Sequence, residues 1–190
     1  SSRASRRSTV PLVSSHWIDP SARTTCRSSS QRPSRTPSAI ESAVRIPLFH
    51  IAGIGNMISG LLLGLPTVIY PLGAFDPGAL LDVLEAESVS AIFLVPAQWQ
   101  AVCAAQQAQP RDVKLRVLSW GAAPASDTLL REMASTFPGA QIFAAFGQTE
   151  MSPVTCMLLS QDALRKLGSV GRVIPTVAAR VVDDNMNDVP

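Results

Sequence analysis

The sequence has few cysteines, no uninterrupted hydrophobic run long enough to span a membrane, and no apolar leader at its start. Its three cysteines are odd in number and lack metal-type spacing, which favours a reducing compartment over a disulfide framework. The longest apolar stretch, residues 54–70, is broken by glycine, asparagine, serine and proline, so it falls short of the ~20 residues that a spanning helix needs. Residues 1–20 lack the apolar core of a signal peptide. We therefore expect no transmembrane segment and a cytoplasmic location, with a peripheral membrane location as the alternative.

Charge is distributed unevenly along the chain. Residues 1–45 contain eight arginines and two acidic residues, whereas residues 46–190 contain eight basic and twelve acidic residues. The larger part is therefore slightly acidic and gives no electrostatic reason to expect nucleic-acid binding. The scattered arginines of the first part, with only Trp17 available for stacking, fit a solvated tail better than a nucleic-acid-binding arm.

The first 45 residues also contain thirteen serines and no glycine, and their few hydrophobic residues show no period. Such a segment cannot bury enough surface to offset the entropy of ordering it. The sequence thus predicts a disordered, dispensable tail over residues 1–45 and one domain over residues 46–190. Because the composition changes abruptly near Arg45, a second interpretation is that the tail is an out-of-frame or misassigned translation joined to a genuine domain.

From Ile46 onward, predicted strands and helices alternate. Helices are predicted over residues 51–63 and 76–87, with Asp76 as N-cap, then from Pro96, from Ser126 to 136, and from Ser160 to Gly168. Strands are predicted at residues 66–71 (buried), 91–95, 116–120, 141–146 and 177–182. The alternation and the uncharged strand interiors predict an α/β fold with a partial doubly wound, mostly parallel sheet and flanking helices.

Two unusual loops follow successive predicted strands, at residues 121–124 and 147–150. In open α/β sheets ligands bind at the carboxyl ends of the strands, so both loops can line one crevice. Phe146 offers a flat face for a base or an acyl group, and the Thr149 hydroxyl can donate to a phosphate oxygen. Glu150 supplies the kind of oxygen that Mg²⁺ binds together with substrate phosphates. Taken alone, residues 145–150 also fit an ordinary strand-to-loop turn with a solvated glutamate.

Four short motifs occur in order in residues 46–190: Pro-Leu-Phe-His at 47–50, Gly-Ala-Ala-Pro at 121–124, Phe-Gly-Gln-Thr-Glu at 146–150 and Gly-Ser-Val-Gly-Arg at 168–172. Together they resemble the adenylate-forming (AMP-binding) superfamily of acyl-CoA synthetases, adenylation domains and luciferases. Residues 158–166 are similar to bacterial, notably mycobacterial, fatty-acid–CoA ligases. The resemblance implies that residues 46–190 are part of the large N-terminal AMP-binding domain of such an enzyme.

The resemblance also implies an acid–thiol ligase, which forms an acyl-adenylate from a fatty acid and Mg-ATP and then transfers the acyl group to coenzyme A. The residues it implies for nucleotide binding are Gly121, Ala122, Ala123, Pro124, Ala145, Phe146, Gly147 and Thr149. Thr149 and Glu150 would serve catalysis, and Glu150 would hold Mg²⁺. The acyl pocket would involve His50, Trp120 and Gly147, although His50 taken alone fits a helix-start residue with a satisfied hydrogen bond.

The sequence departs from the family pattern in two respects. Family members carry a glycine-rich phosphate loop with a lysine upstream of the Pro-Leu-Phe-His motif, whereas this chain has no glycine before Gly53 and no lysine before Lys114. Since the family's later segments are also not found before Pro190, we expect no activity from this chain alone. Two alternatives stay open: a nucleotide-binding or interaction module without catalysis, and an adenylation enzyme that loads a carrier-protein thiol. Acyl chain length and oligomeric state cannot be predicted.

Overall fold

The computed structural model describes residues 42–70 and 73–189. They form a seven-stranded sheet with the order β2-β1-β3-β4-β5-β6-β7. Its strands are β1 Ser42–Val44, β2 Thr67–Ile69, β3 Ala91–Leu94, β4 Val117–Gly121, β5 Gln141–Gly147, β6 Val154–Leu158 and β7 Arg172–Val173. The strands β1 to β5 pair in parallel, and β6 and β7 join antiparallel. The predicted mostly parallel α/β fold is confirmed.

Five helices connect these strands: α1 Ile51–Leu62, α2 Pro77–Ala86, α3 Pro96–Ala108, α4 Asp127–Thr136 and α5 Ser160–Ala163. The predicted caps are present, since Asp76 Oδ1 accepts from the Ala79 amide at 3.0 Å and Ser126 Oγ accepts from the Leu129 amide at 3.2 Å. Helices α2, α3 and α4 pack side by side, whereas α1 packs mainly on β1 and β2. The connection from β1 to β2 runs across the sheet in the direction opposite to the connections from β2 to β5. Since these connections are right-handed crossovers, α1 lies on the face of the sheet opposite α2, α3 and α4. None of the described helices has the length and apolar character needed to cross a bilayer.

The core lies between the sheet and helices α2 to α4. One row of it, Ala43, Ile92, Leu118 and Ile142, runs in register across four parallel strands. Trp99 and Cys103 of α3 are fully buried against it, as the apolar pattern of this helix predicts. Burial raises the pKa of the Cys103 thiol from 9.0 to about 11, so this cysteine is a protonated core residue at neutral pH.

Strand β1 corrects the predicted boundary of the tail. Residues Ser42–Val44 were expected to be disordered, yet they pair with both β2 and β3 in the interior of the sheet. A three-residue strand carries too little pattern to be recognised, and its neighbours on both sides provide the stabilisation. The prediction of a disordered tail otherwise concerns residues outside the described part of the chain.

Three other expectations need correction, and two strands were not predicted. Strand β2 is half-buried rather than buried, because it lies at the sheet edge with one neighbour. Residues 177–182 form no strand beyond the single bridge between Val182 and Asp188. Helix α5 ends at Ala163 rather than at Gly168. Antiparallel β6 and β7 escaped prediction because β6 follows β5 through a short turn, which a strand–helix alternation does not anticipate.

Arg45, at the end of β1, is buried with 5% of its surface exposed. Its guanidinium lies 5.3 Å from the Tyr70 ring and 4.8 Å from the Phe75 ring, and Nη2 donates to the Ala74 carbonyl at 3.1 Å. We expect Arg45→Ala to lower the free energy of unfolding by about 2 kcal/mol, through lost packing and cation–π contact. Urea denaturation measures this, with the exposed Arg172→Ala as control. Equal midpoints for the two variants would contradict the expectation.

Candidate functional site

The candidate site lies where β4 and β5 end. These strands are parallel neighbours, and Gly121 pairs with Ala145 in their register. The two loops predicted from the sequence therefore lie side by side. Residues 121–124 and 145–147 line one cavity of about 310 Å³. This volume is at the lower end of the range of ligand pockets.

Glycine is required at both strand ends by close backbone approach. A Cβ on Gly121 would lie 2.2 Å from the Ala145 carbonyl oxygen, and one on Gly147 would lie 1.7 Å from the Pro153 carbonyl oxygen. The register between β5 and β6 also shifts between Phe146 and Gly147. Such an irregularity bends the strand and reorients its side chains. The glycines thus determine the shape of the cavity mouth.

The 121–124 loop and the turn between β5 and β6 each contain a non-glycine residue with left-handed backbone, Ala122 (φ 66°) and Ser152 (φ 54°). This conformation costs an L-residue roughly 1–2 kcal/mol and persists only where the surroundings hold it. Such residues cluster at ligand sites in proteins. The strain at Ala122 falls in the centre of the 121–124 loop, which identifies this loop as a candidate ligand contact.

The cavity is uncharged and mostly apolar. Phe146 forms one wall with 47% of its surface exposed, and residues 122–124 and 167–170 form others. No charged side chain is among the described residues that line it. Polar groups come mainly from the backbone, together with Ser169 and the Trp120 indole, whose Nε1 has no hydrogen-bond partner among the described residues. This lining suits a flat, neutral ring that stacks on Phe146 and bonds to main-chain groups.

Thr149 and Glu150 lie beyond the cavity. They begin a 3₁₀ turn, Thr149–Met151, between β5 and β6, and both are exposed. Neither lines the cavity, and no described cation pairs with Glu150. Among the described residues no group of three or more His, Cys, Asp or Glu could hold a metal. A single carboxylate fits Mg²⁺ only when phosphate oxygens complete the coordination, as Mg²⁺ bound to a nucleotide does.

The three residues predicted for an acyl pocket differ in their relation to the cavity. His50 is the exposed N-cap of α1, where its Nδ1 accepts from the Ala52 amide at 3.1 Å. Trp120 lies two residues after core residue Leu118 and packs on the α2–α4 face, away from α1. Trp120 and Gly147 line the cavity, and His50 does not. The geometry of His50 matches the helix-start alternative.

Residues 167–170 are cavity-lining residues to which the sequence analysis assigned no contact. Residues 168–170 belong to the motif Gly-Ser-Val-Gly at 168–171, whose two glycines have φ values of 78° and 87°. Positive φ at both glycines folds this segment back toward β5 and β6. The paired glycines were the available signal, although a sequence does not show which loop they face.

Sequence comparison gives a consistent picture. Residues 22–190 match the family model for AMP-binding enzymes. The chain is 34% identical over 146 residues to an indoleacetate–CoA ligase of Aromatoleum aromaticum, which covers 76% of this chain and 28% of that protein. It is 36% identical over 129 residues to a feruloyl-CoA synthase of an Amycolatopsis species, and the match covers 67% of this chain and 26% of that protein. The chain thus spans about a quarter of the length of these relatives.

Solved structures share the fold. The N-terminal domain of FACL13 from Mycobacterium tuberculosis superposes with a TM-score of 0.72 at 24% identity, covering 79% of this chain and 37% of that one. An O-succinylbenzoate coenzyme A synthetase from Bacillus subtilis, in complex with ATP and magnesium, superposes with a TM-score of 0.69 at 21% identity. The match covers 80% of this chain and 30% of that one. At these identities the likeness establishes the fold alone.

Proposed function

Since this chain belongs to the AMP-binding enzyme family, we propose that its cavity binds the nucleotide of an ATP-dependent acid–thiol ligase. The observation that carries this proposal is the convergence of residues 121–124 and 145–147 on one uncharged cavity at the carboxyl ends of β4 and β5. That edge is where open α/β sheets bind ligands.

In this proposal the base stacks on Phe146, and main-chain groups of residues 121–124 hydrogen-bond its edge. The strained backbone at Ala122 keeps those groups fixed before the ligand arrives. The phosphates extend from the cavity toward the 3₁₀ turn, where the Thr149 hydroxyl donates to a phosphate oxygen. Glu150 contributes one oxygen to Mg²⁺, which neutralises phosphate charge when it is bound.

The proposed reaction has two steps. A carboxylate oxygen of the acid attacks the α-phosphorus of ATP, and pyrophosphate leaves to give an acyl-adenylate. The thiol of coenzyme A then attacks the acyl carbon, and AMP leaves. The residues of this chain bind and orient the nucleotide in both steps. The resemblance to mycobacterial-type ligases predicts a fatty acid, while the two relatives compared above are named for aromatic acids.

A second candidate is a nucleotide-binding module without turnover. It is favoured by the composition of the cavity, whose described lining contains no general acid, general base or cation. The two candidates differ in carboxylate-dependent exchange of pyrophosphate into ATP. Exchange that disappears in Glu150→Ala supports the ligase and overturns the expected inactivity of this chain alone, whereas nucleotide binding without exchange agrees with the module and with that expected inactivity.

Calorimetric titration tests the nucleotide site itself. We expect Phe146→Ala to weaken binding of AMP about tenfold, since stacking on the ring is lost. Glu150→Ala should weaken binding of Mg-ATP about tenfold but leave the affinity for AMP unchanged, because the Glu150 carboxylate acts only through the metal. Asp184→Ala, another exposed carboxylate, is the matched control. Unchanged affinity of both site variants for Mg-ATP would contradict the assignment.

A further inference from the structure

A second cavity lies beside the first, between the turn that follows α5 and strand β7. Its volume is about 350 Å³, which is within the range of small-molecule pockets. The described residues that line it come from the end of β6, from α5, from the turn after α5, and from β7 with the two residues that follow it. The nucleotide site proposed above does not include this cavity, so a ligand bound there would be a different one.

The turn at residues 168–171 separates the two cavities, and Leu158 and Ser169 line both of them. Within this turn the Gly171 amide donates to Ser169 Oγ at 3.0 Å. A Cβ on Gly171 would lie 1.9 Å from the Met157 carbonyl oxygen, so the turn lies directly against β6. The wall between the cavities is therefore held in place by backbone contacts.

The second cavity is positively charged, unlike the first. Lys166 lines it from the turn after α5, and Arg172 lines it from β7. Neither cation forms an ion pair with any described residue. The one carboxylate among the described lining residues is that of Asp162, whose Oδ1 accepts from Arg165 Nε at 3.1 Å. Because Arg165 neutralises this carboxylate, the cavity keeps two cations without a described counter-charge.

We propose that the second cavity binds a small-molecule phosphate monoester whose organic part is apolar. A phosphate monoester carries about 1.5–2 negative charges at neutral pH, which match the charges of Lys166 and Arg172. The planar guanidinium of Arg172 presents paired donors that fit phosphate oxygens, and the Lys166 ammonium acts as a compact charge. A carboxylate carries a single charge and would leave one of the two cations uncompensated.

The apolar part of the lining suits the organic part of this ligand. Met157, Leu159 and Val173 line the cavity and expose 37%, 44% and 42% of their surfaces. An apolar group that covers these side chains removes their surface from water, which favours binding. Phe146 and residues 121–124 do not line this cavity, so the inference does not depend on the nucleotide site.

Calorimetric titration of the full chain with three probes tests the inference: phenyl phosphate, inorganic phosphate and benzoate. Phenyl phosphate is expected to bind about tenfold more tightly than inorganic phosphate, because its ring covers the apolar lining. It should also bind about tenfold more tightly than benzoate, because its additional charge engages the second cation. Added salt should weaken the binding of phenyl phosphate, since exposed charges are screened.

Substitutions locate the binding site. Lys166→Gln and Arg172→Gln should each weaken the binding of phenyl phosphate about tenfold, and circular dichroism shows whether each variant is folded. Arg180→Gln removes an exposed arginine outside the cavity and is the matched control. Phe146→Ala should leave the affinity for phenyl phosphate unchanged. Saturating adenosine, which has no phosphate, should leave it unchanged as well.

Other results overturn the inference. Parental affinity for phenyl phosphate in both Lys166→Gln and Arg172→Gln would show that these cations hold no ligand, and so would the absence of phosphate binding at millimolar concentration. If Phe146→Ala or adenosine abolishes the binding of phenyl phosphate, this probe occupies the nucleotide cavity instead. Benzoate that binds as tightly as phenyl phosphate would contradict the selection of a phosphate.

Discussion

Replacing Gly147 by alanine is expected to abolish nucleotide binding and to destabilise the fold by more than about 3 kcal/mol. A Cβ at this position would lie 1.7 Å from the Pro153 carbonyl oxygen, 2.7 Å from the Pro153 carbonyl carbon and 2.9 Å from the Val154 Cα. All three atoms belong to backbone, so no side-chain rotation relieves the clash. Strands β5 and β6 would have to separate where β5 delivers Phe146 to the cavity.

Thermal melting and AMP titration measure the two effects. Gly73→Ala is the matched control, because a Cβ there meets no atom within 4 Å and the residue lies in a loop. The control should melt and bind like the parent chain. A Gly147→Ala protein that binds AMP with parental affinity would show that close approach of β5 and β6 does not shape the site.

Trp99→Ala should cost about 4 kcal/mol of folding free energy, a large fraction of the stability of an ordinary domain. Trp99 is fully buried, and its ring meets that of Phe137 edge-on with 6.1 Å between centroids. Its Nε1 donates to the Ser119 carbonyl at 3.0 Å. The substitution therefore leaves a large void and removes a side-chain hydrogen bond to β4, the strand that carries Gly121.

Urea denaturation followed by far-ultraviolet circular dichroism measures this loss. Trp99→Phe is the informative comparison, since it removes the hydrogen bond and keeps much of the ring volume. We expect Trp99→Phe to lower the free energy of unfolding by about half as much as Trp99→Ala does. If alanine and phenylalanine give equal midpoints close to that of the parent, α3 is not an essential layer of the core.

The elements between residues 76 and 147 were predictable because local signals agreed with the fold. Asp76 and Ser126 cap their helices through the expected side-chain bonds, and strands β3 to β5 are uncharged runs between those helices. Loops that follow successive strands then converge, since parallel neighbours end at the same sheet edge. The cavity could be placed from these facts alone.

The elements that escaped prediction are held by tertiary contacts. Ser42–Val44 is a strand only because β2 and β3 flank it, and Arg45 is buried only because two aromatic rings enclose it. Antiparallel β6 depends on a 3₁₀ turn that ends with Ser152 in a left-handed conformation. Which sheet face Trp120 and Ser119 occupy depends on the burial of their neighbours, which the sequence alone does not show.

A crystal structure of this chain with Mg-ATP is the most direct test of the nucleotide site. We predict that the base stacks on Phe146 within contact of residues 121–124, with the phosphates directed to Thr149 and the metal bound by Glu150. A base bound outside this cavity, or phosphates directed away from the Thr149–Met151 turn, would contradict the assignment.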